Sequence, residues 1–269
     1  LKILINYADK NFKKQQKKNT QTAKSVGNFD RVIEYGPESI DKNFYDKHAD
    51  FITNSRKGNG YWLWKPYILY KTLMEEAAEG DYVFYCDSGS FFVNSVDLII
   101  QELDKVNQDI FLTETPLIEY QWTKKECFIK LGCLNESYQY SNQVQAGFIL
   151  VKKTSQSVKF ISNYLDWCSD YSILNDEMNT NINKDLIAHR HDQSILSLLA
   201  KKENLMLFRD ISQYGRRPWQ YTSPGREYLI KSYNNSKYPS IVCLYRKSNW
   251  RKVFIKEKLK DILGAELRF

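Results

Sequence analysis

The sequence is short of residues that break, staple or span. Glycine and proline number only 11 and 6 in 269 residues, and there is no low-complexity tract. With 42% hydrophobic and 26% charged residues, this excludes a disordered or fibrous chain. The five cysteines (Cys86, Cys127, Cys133, Cys168 and Cys243) are odd in number and form no Cys-x-x-Cys pair. That argues against a disulfide framework, a zinc knuckle or a redox dithiol, and fits reduced thiols in the cytoplasm. No apolar run approaches the roughly 18 residues that span a bilayer, and the opening residues 1–7 are too short for a signal peptide, so the chain reads as soluble. What remains is a chain long enough for one large domain, 1–269, able to bury roughly three quarters of its unfolded surface. A start at Leu1 rather than methionine fits a module of a longer polypeptide.

Charge and aromatic content narrow the partners. Lysine plus arginine total 39 against 32 acids, a net charge of +7, and 19 tyrosines bring aromatics to 14%. Basic charge with aromatics suits phosphate-bearing or sugar-bearing molecules or an anionic membrane surface. The cations are spread along the chain, apart from residues 13–18 and the C-terminal tail, so a nucleic-acid stripe is not indicated.

Apolar runs alternate with helical spacing, the signature of an α/β sheet covered by helices. Strands are predicted at 2–8, 31–35, 82–86, 110–112 and 147–151. Helices are predicted at 11–24, 64–79, 96–106, 155–168, 193–200 and 250–267. Residues 170–186 read as a polar connection and 209–228 as a loop. The strand at 82–86 runs into Asp87-Ser88-Gly89, which delivers a carboxylate into a turn at the carboxyl end of a buried strand, where open α/β sheets bind ligands. Such a carboxylate can hold a divalent metal on two phosphate oxygens or accept a ribose hydroxyl; the alternative is that Asp87 simply starts a turn.

Three further segments carry candidate chemistry. Lys65 precedes Pro66 at a helix start, where free N–H groups favour phosphate and an ammonium adds a mobile countercharge. Beside it, Trp62 and Trp64 suit either stacking on a base or sugar, or packing; Arg56 is a weaker phosphate candidate. His189 and His191, two apart, face one side if extended, and a neutral imidazole could ligate metal. Asp192 is the expected N-cap of the helix that follows. Gln145 is placed to bind a hydroxyl, and Gly147, lacking a side chain, would let a sugar approach the backbone. The loop at 209–217 could close over a diphosphate through Arg216 or Arg217.

Taken together, Gly-Tyr-Trp-Leu-Trp-Lys-Pro at 60–66, the Asp87 turn and His-Arg-His-Asp-Gln-Ser at 189–194 resemble nucleotide-sugar-dependent glycosyltransferases of the GT-A fold. More narrowly, they resemble bacterial enzymes of surface-polysaccharide synthesis, including those of capsule and O-antigen. The resemblance covers most of the chain. It implies a Rossmann-type mixed sheet and a nucleotide site at the first strand, at Tyr7 and Ala8. It also implies a donor diphosphate met by Lys65, Asp87 and a manganese or magnesium ion, and an acceptor that is a glycan or a lipid-linked glycan. In such enzymes a carboxylate or amide of the late helix faces the sugar, here Asp192 or Gln193. The segment His191-Asp-Gln-Ser is similar to the His-Asp-Glu-Ser of retaining α-galactosyltransferase-type enzymes with Gln193 in place of Glu, which leaves stereochemistry open. Gly89 stands where the second acid of an Asp-x-Asp motif would be, so either Asp87 holds the metal with help from elsewhere, with His191 the candidate, or metal dependence is weak or absent. A nucleotidyltransferase is the enzymatic alternative, but Asn6-Tyr7-Ala8-Asp9-Lys10 is not its glycine-rich loop. A non-catalytic carbohydrate-binding module is the other alternative, and it needs no acidic turn with a separate His-Asp helix start. The C-terminal helix sets Ile255, Leu259, Ile262 and Leu263 at helical spacing among Arg251, Lys252, Lys256, Lys258 and Lys260. That stripe is expected to dock on the sheet, with contact to an anionic leaflet at the inner face of the cytoplasmic membrane as the alternative.

Overall fold

Alternation of side chains along the first strand sets the architecture. In the computed structural model, which describes residues 1–55, 57–178 and 184–264, Ile3 and Ile5 of β1 (Lys2–Tyr7) face one apolar layer and Leu4 faces the other. The next strands are β2 (Arg31–Tyr35), β3 (Tyr82–Cys86), β4 (Ser90–Phe92) and β5 (Ile110–Phe111). They are followed by β6 (Thr113–Ile118), β7 (Asn142–Val144), β8 (Phe148–Lys152), β9 (Phe208–Arg209) and β10 (Val242–Leu244). The main sheet runs β2-β1-β3-β8-β5, with β2, β1 and β3 parallel and β8 antiparallel to both β3 and β5. This is the mixed sheet expected for a GT-A fold. Val83 and Tyr85 of β3 point to one layer and Phe84 and Cys86 to the other, so both faces need cover.

Six helices of at least two turns matter here: α1 (Lys13–Thr22), α2 (Trp64–Glu75), α3 (Asp97–Lys105), α4 (Ser155–Cys168), α5 (Asp192–Lys202) and α6 (Trp250–Ile262). One layer is covered by α2, α4 and α5 through Ile68, Leu69, Ile161, Tyr164, Leu196 and Leu199. The start of α4 is fixed by a reciprocal cap, Thr154 accepting from the Ser157 N–H while the Ser157 hydroxyl accepts from the Thr154 N–H.

Two small sheets were not foreseen. The strand pair β4-β10 is antiparallel, and β6 is flanked by β7 and β9. Pro116 inside β6 argues against a strand from sequence; the register shift between Glu114 and Ile118 accommodates it. The C-terminal helix also departs from expectation. Ile255, Leu259, Ile262 and Leu263 lie exposed on its outer side. The inner side instead presents Trp250 and Val253 to a small apolar cluster, and Glu257 and Asp261 to Arg217. Ion pairs thus dock where apolar packing was expected.

Candidate functional site

The site is assembled where β1 and β3 end. The Ser88 hydroxyl donates to the Tyr7 carbonyl at 2.6 Å, tying the two strand ends together. The turn after β3 is closed by the Asp87 carbonyl, which accepts from the Ser90 hydroxyl at 2.7 Å, and the Asp87 N–H donates to the Gly147 carbonyl at 2.9 Å. Asp87 Oδ1 accepts from the Tyr85 hydroxyl at 2.6 Å, while a β-carbon on Gly147 would stand 3.2 Å from Asp87 Oδ2. The missing side chain at Gly147 therefore leaves room for this carboxylate.

Lys65 and Asp192, predicted in separate roles, are one ion pair. Lys65 Nζ lies 2.8 Å from Asp192 Oδ2, and both side chains are almost wholly buried. The Tyr164 hydroxyl donates to the same oxygen at 3.2 Å, and the ammonium sits 5.2 Å from the centre of the Tyr85 ring. Burial works against the Lys65 ammonium, but Asp192 and Asp87 together hold it above its ordinary range. Burial pushes the Asp192 carboxyl up, Lys65 pulls it down, and the charge of Asp87 raises it again. Two expectations are corrected here. Lys65 is no mobile countercharge at an exposed helix end. Asp192 is no N-cap: it is the first residue of α5, behind His191 with φ of 53°, and its carboxylate makes no capping bond because Lys65 and Tyr164 take it.

The other predicted residues divide. Trp64 stacks on Tyr7 with ring centroids 3.7 Å apart and donates from Nε1 to the Gly58 carbonyl, so it packs, and it covers one face of Tyr7. Ala8 is buried, its N–H on the Tyr35 carbonyl. Trp62 stays partly exposed with its ring stacked on His191. His191 Nδ1 bonds the Leu174 carbonyl at 2.7 Å, and its Nε2 has Asp176 at 3.5 Å as acidic neighbour. Burial lowers its pKa to about 4, so the ring is neutral. His189 engages the Ile173 carbonyl and the Lys124 N–H, a structural role. Gln193 is held at both ends of its amide, accepting from the Ala146 N–H and donating to Gln143. Gln145 donates to Thr113 and turns towards Asp210. Arg216 pairs with Asp261 at 3.2 Å and Arg217 pairs with Glu257 and Asp261, so the expected diphosphate clamp is instead the anchor of α6. Arg56 lies outside the described residues.

The metal implied by the resemblance does not fit this set. Among the described residues no group of three or more His, Cys, Asp or Glu side chains converges as a metal site. Asp87 already has the Tyr85 hydroxyl on one oxygen and the charge of Lys65 nearby, and His191 neighbours Asp176. Gly89 carries the backbone of the chain after β10: its carbonyl accepts from the N–H groups of Tyr245 and Arg246 at 2.9 and 2.8 Å, and a β-carbon would stand 3.3 Å from the Arg246 Cα. Where a second acid was sought, a cationic residue arrives.

That cation belongs to a group the sequence reading missed. Arg190 lies over Trp122 at 4.3 Å, with its Nε buried and without a partner, and Arg226 lies over the same ring at 5.3 Å. Burial and the charges of Arg226 and Arg246 pull the Arg190 guanidinium below its ordinary range. None of the three has a carboxylate partner among the described residues. Arg190 was legible inside the quoted His-Arg-His-Asp segment; Arg226 and Arg246 had no local signal. With the charges of Arg226 and Arg246 both reaching Arg190, and Arg246 bonded through its backbone to the Gly89 turn, this cluster suits an anion with several oxygens.

The fold is that of the GT-A glycosyltransferases. No protein-family model and no curated protein matches the sequence. Among solved structures, the bifunctional glycosyltransferase WbbM in its apo form aligns with a TM-score of 0.50 at 10% identity, over 94% of this chain and 49% of that one. The galactosyltransferase LgtC, in complex with donor and acceptor sugar analogues, aligns over 99% of this chain and 97% of that one, with 17% identity and a TM-score of 0.48. The apo form of mouse xyloside xylosyltransferase 1 aligns over 90% and 96%, with 6% identity and the same score.

Proposed function

We propose that this chain is a glycosyltransferase that moves a sugar from a nucleotide-diphosphate donor, uridine-linked by the resemblance, to a glycan or lipid-linked glycan acceptor of surface-polysaccharide synthesis, in the cytoplasm against the inner face of the membrane. One observation carries the reading. At the ends of β1 and β3, a buried Lys65–Asp192 pair with the half-buried Asp87 beside it lies near arginines that have no carboxylate partner among the described residues. This arrangement suits a molecule with a neutral hydroxylated end and an anionic end.

In transfer, an acceptor hydroxyl attacks the anomeric carbon, the bond from that carbon to the diphosphate oxygen breaks, the diphosphate leaves with the electron pair, and the hydroxyl proton is released. The arginine rim meets the charge that develops on the leaving group, and the half-buried Asp87 carboxylate faces the sugar, with the Lys65–Asp192 pair behind it. Positioning and electrostatic stabilisation supply the catalysis. The divalent ion implied by the resemblance would find only Asp87 as a placed ligand, so no step is assigned to it. The experiment is a screen of nucleotide sugars for release of nucleoside diphosphate, with manganese and with chelator. Breakdown of one donor class is expected, with Asp87→Asn losing about a hundredfold or more in turnover while its melting temperature holds. No breakdown of any donor, or full turnover in Asp87→Asn, overturns the reading.

A further inference from the structure

Helix α6 has two unlike faces. Its start is capped by Asn249, whose side-chain oxygen accepts from the N–H groups of Arg251 and Lys252 at 3.0 and 3.3 Å. Its inner face is fully used. Trp250 and Phe254 meet Phe91 edge-on with centroids 5.8 and 6.2 Å apart, and the acids Glu257 and Asp261 bind Arg217. On the opposite face Ile255, Leu259, Ile262 and Leu263 follow one another at helical spacing, each between 52% and 79% exposed. They are flanked by Arg251, Lys252, Lys256 and Lys258, none of which has a carboxylate partner among the described residues. With both acids of the helix turned inward, the outer face is apolar at its centre and purely cationic at its edges.

The positive charge continues beside the helix start. A cavity of about 390 Å³ is lined there by Lys14, Lys18, Lys247 and Arg251 together with Trp250 and Tyr245. Lys18 Nζ stands 3.6 Å from the centre of the Trp250 ring. Burial and the charge of Arg251 pull this ammonium below its ordinary range. Among the described residues no helix is long and apolar enough to cross a membrane. An apolar ridge edged by long cationic side chains can instead lie in the plane of a bilayer, with its aliphatic groups at the acyl boundary and its lysines among the headgroup phosphates.

We propose that the outer face of α6, with the adjoining basic cavity, seats the protein on an anionic lipid bilayer. The purpose of the seat rests on the sugar-transfer reading: α6 packs through Phe91 on β4, the strand that follows the Asp87 turn, so the seated protein holds its site beside a lipid-borne acceptor.

The test is sedimentation of the full chain with vesicles of phosphatidylcholine, alone or with about a third phosphatidylglycerol, at low and high salt. Two triple variants are compared, Ile255→Ser with Leu259→Ser and Ile262→Ser, and Lys252→Glu with Lys256→Glu and Lys258→Glu. All six side chains lie on the exposed outer face, so circular dichroism is expected to match the parent. The parent protein is expected to pellet with the anionic vesicles at low salt, and each triple variant to lose about tenfold or more in partitioning. Equal pelleting of the variants, or equal pelleting on neutral vesicles, overturns the proposal. So does a parent dimer on gel filtration that the serine variant breaks while no vesicle binding occurs, because the face is then covered by a second copy. Donor breakdown with a soluble acceptor is measured alongside and is expected to be the same in all three proteins. Vesicle binding with no donor breakdown in any of them overturns the sugar-transfer reading and leaves the lipid seat standing.

Discussion

The floor and the rim of the site solve opposite electrostatic problems within a few residues of one another. On the floor, Lys65 is matched by Asp192 at 2.8 Å and by the field of Asp87, and the cluster is closed by the hydroxyls of Tyr85 and Tyr164. At the rim, Arg190 and Arg226 lie over Trp122, and the charges of Arg226 and of Arg246 at the Gly89 turn both oppose that of Arg190. A matched buried charge belongs to the folded state, because removing its partner strands an ion out of water. Unmatched cations that remain partly solvated cost little to keep and gain most when an anion arrives. The buried Lys65–Asp192 pair is therefore expected to show itself in stability, and the half-buried Asp87 and the rim in turnover and binding.

The largest effect that would break this contrast is on the floor. Asp192→Ala is expected to destabilise the fold by about 3–5 kcal/mol, since it leaves Lys65 buried with only Asp87 to answer it. Lys65→Met combined with Asp192→Leu is expected to recover most of that loss. Urea unfolding of the single and double variants measures both; a single variant as stable as the parent would show that the floor is open to water.

The histidine beside the floor sharpens the same point through pH. Burial holds His191 at a pKa of about 4 in the fold against about 6.5 in the unfolded chain. The unfolded state therefore binds the extra proton first, and stability falls as pH drops from about 6.5 towards 4. The expected loss from this group is about 3 kcal/mol across that window. Asn tolerates the positive φ at this position, so His191→Asn is the control: its stability curve should be flatter over the same range when unfolding is followed at several pH values.

The smallest effect on stability is expected at the rim. Arg190→Ala with Arg226→Ala should leave the unfolding midpoint nearly unchanged, or raise it slightly by relieving repulsion. Binding of a nucleoside diphosphate should weaken by about 3–6 kcal/mol, roughly two charge-assisted hydrogen bonds. Calorimetric titration with uridine diphosphate decides it, and unchanged affinity would detach the arginines from the donor.

Much of this architecture was legible in the residues. The strand at 82–86 and the helix at 155–168 lie where their patterns put them, because β3 is buried on both faces and reads as an apolar run while α4 buries one side and keeps helical spacing; the strand at 31–35 lies where expected too, with only Tyr35 buried. The Asp87 turn was legible for the same local reason. The strand β6 was not, since Pro116 and the polar Thr-Glu-Thr run disguise a segment whose cover comes from distant elements. For α6 the apolar stripe was visible in sequence, but which face docks depended on Arg217, a residue outside the helix.

The chain by itself determined the order of its elements and the acidic residue at the end of the third strand, because helices and strands answer to neighbours a few positions away. Tertiary structure alone decided what each charge meets. Lys65 looked like a phosphate ligand until α5 brought Asp192 against it, and Gly89 looked like a missing acid until the pairing of β4 with β10 laid Arg246 over the turn. Coulomb attraction acts through space and not along the chain, so a charge's partner is set by the packing of distant segments.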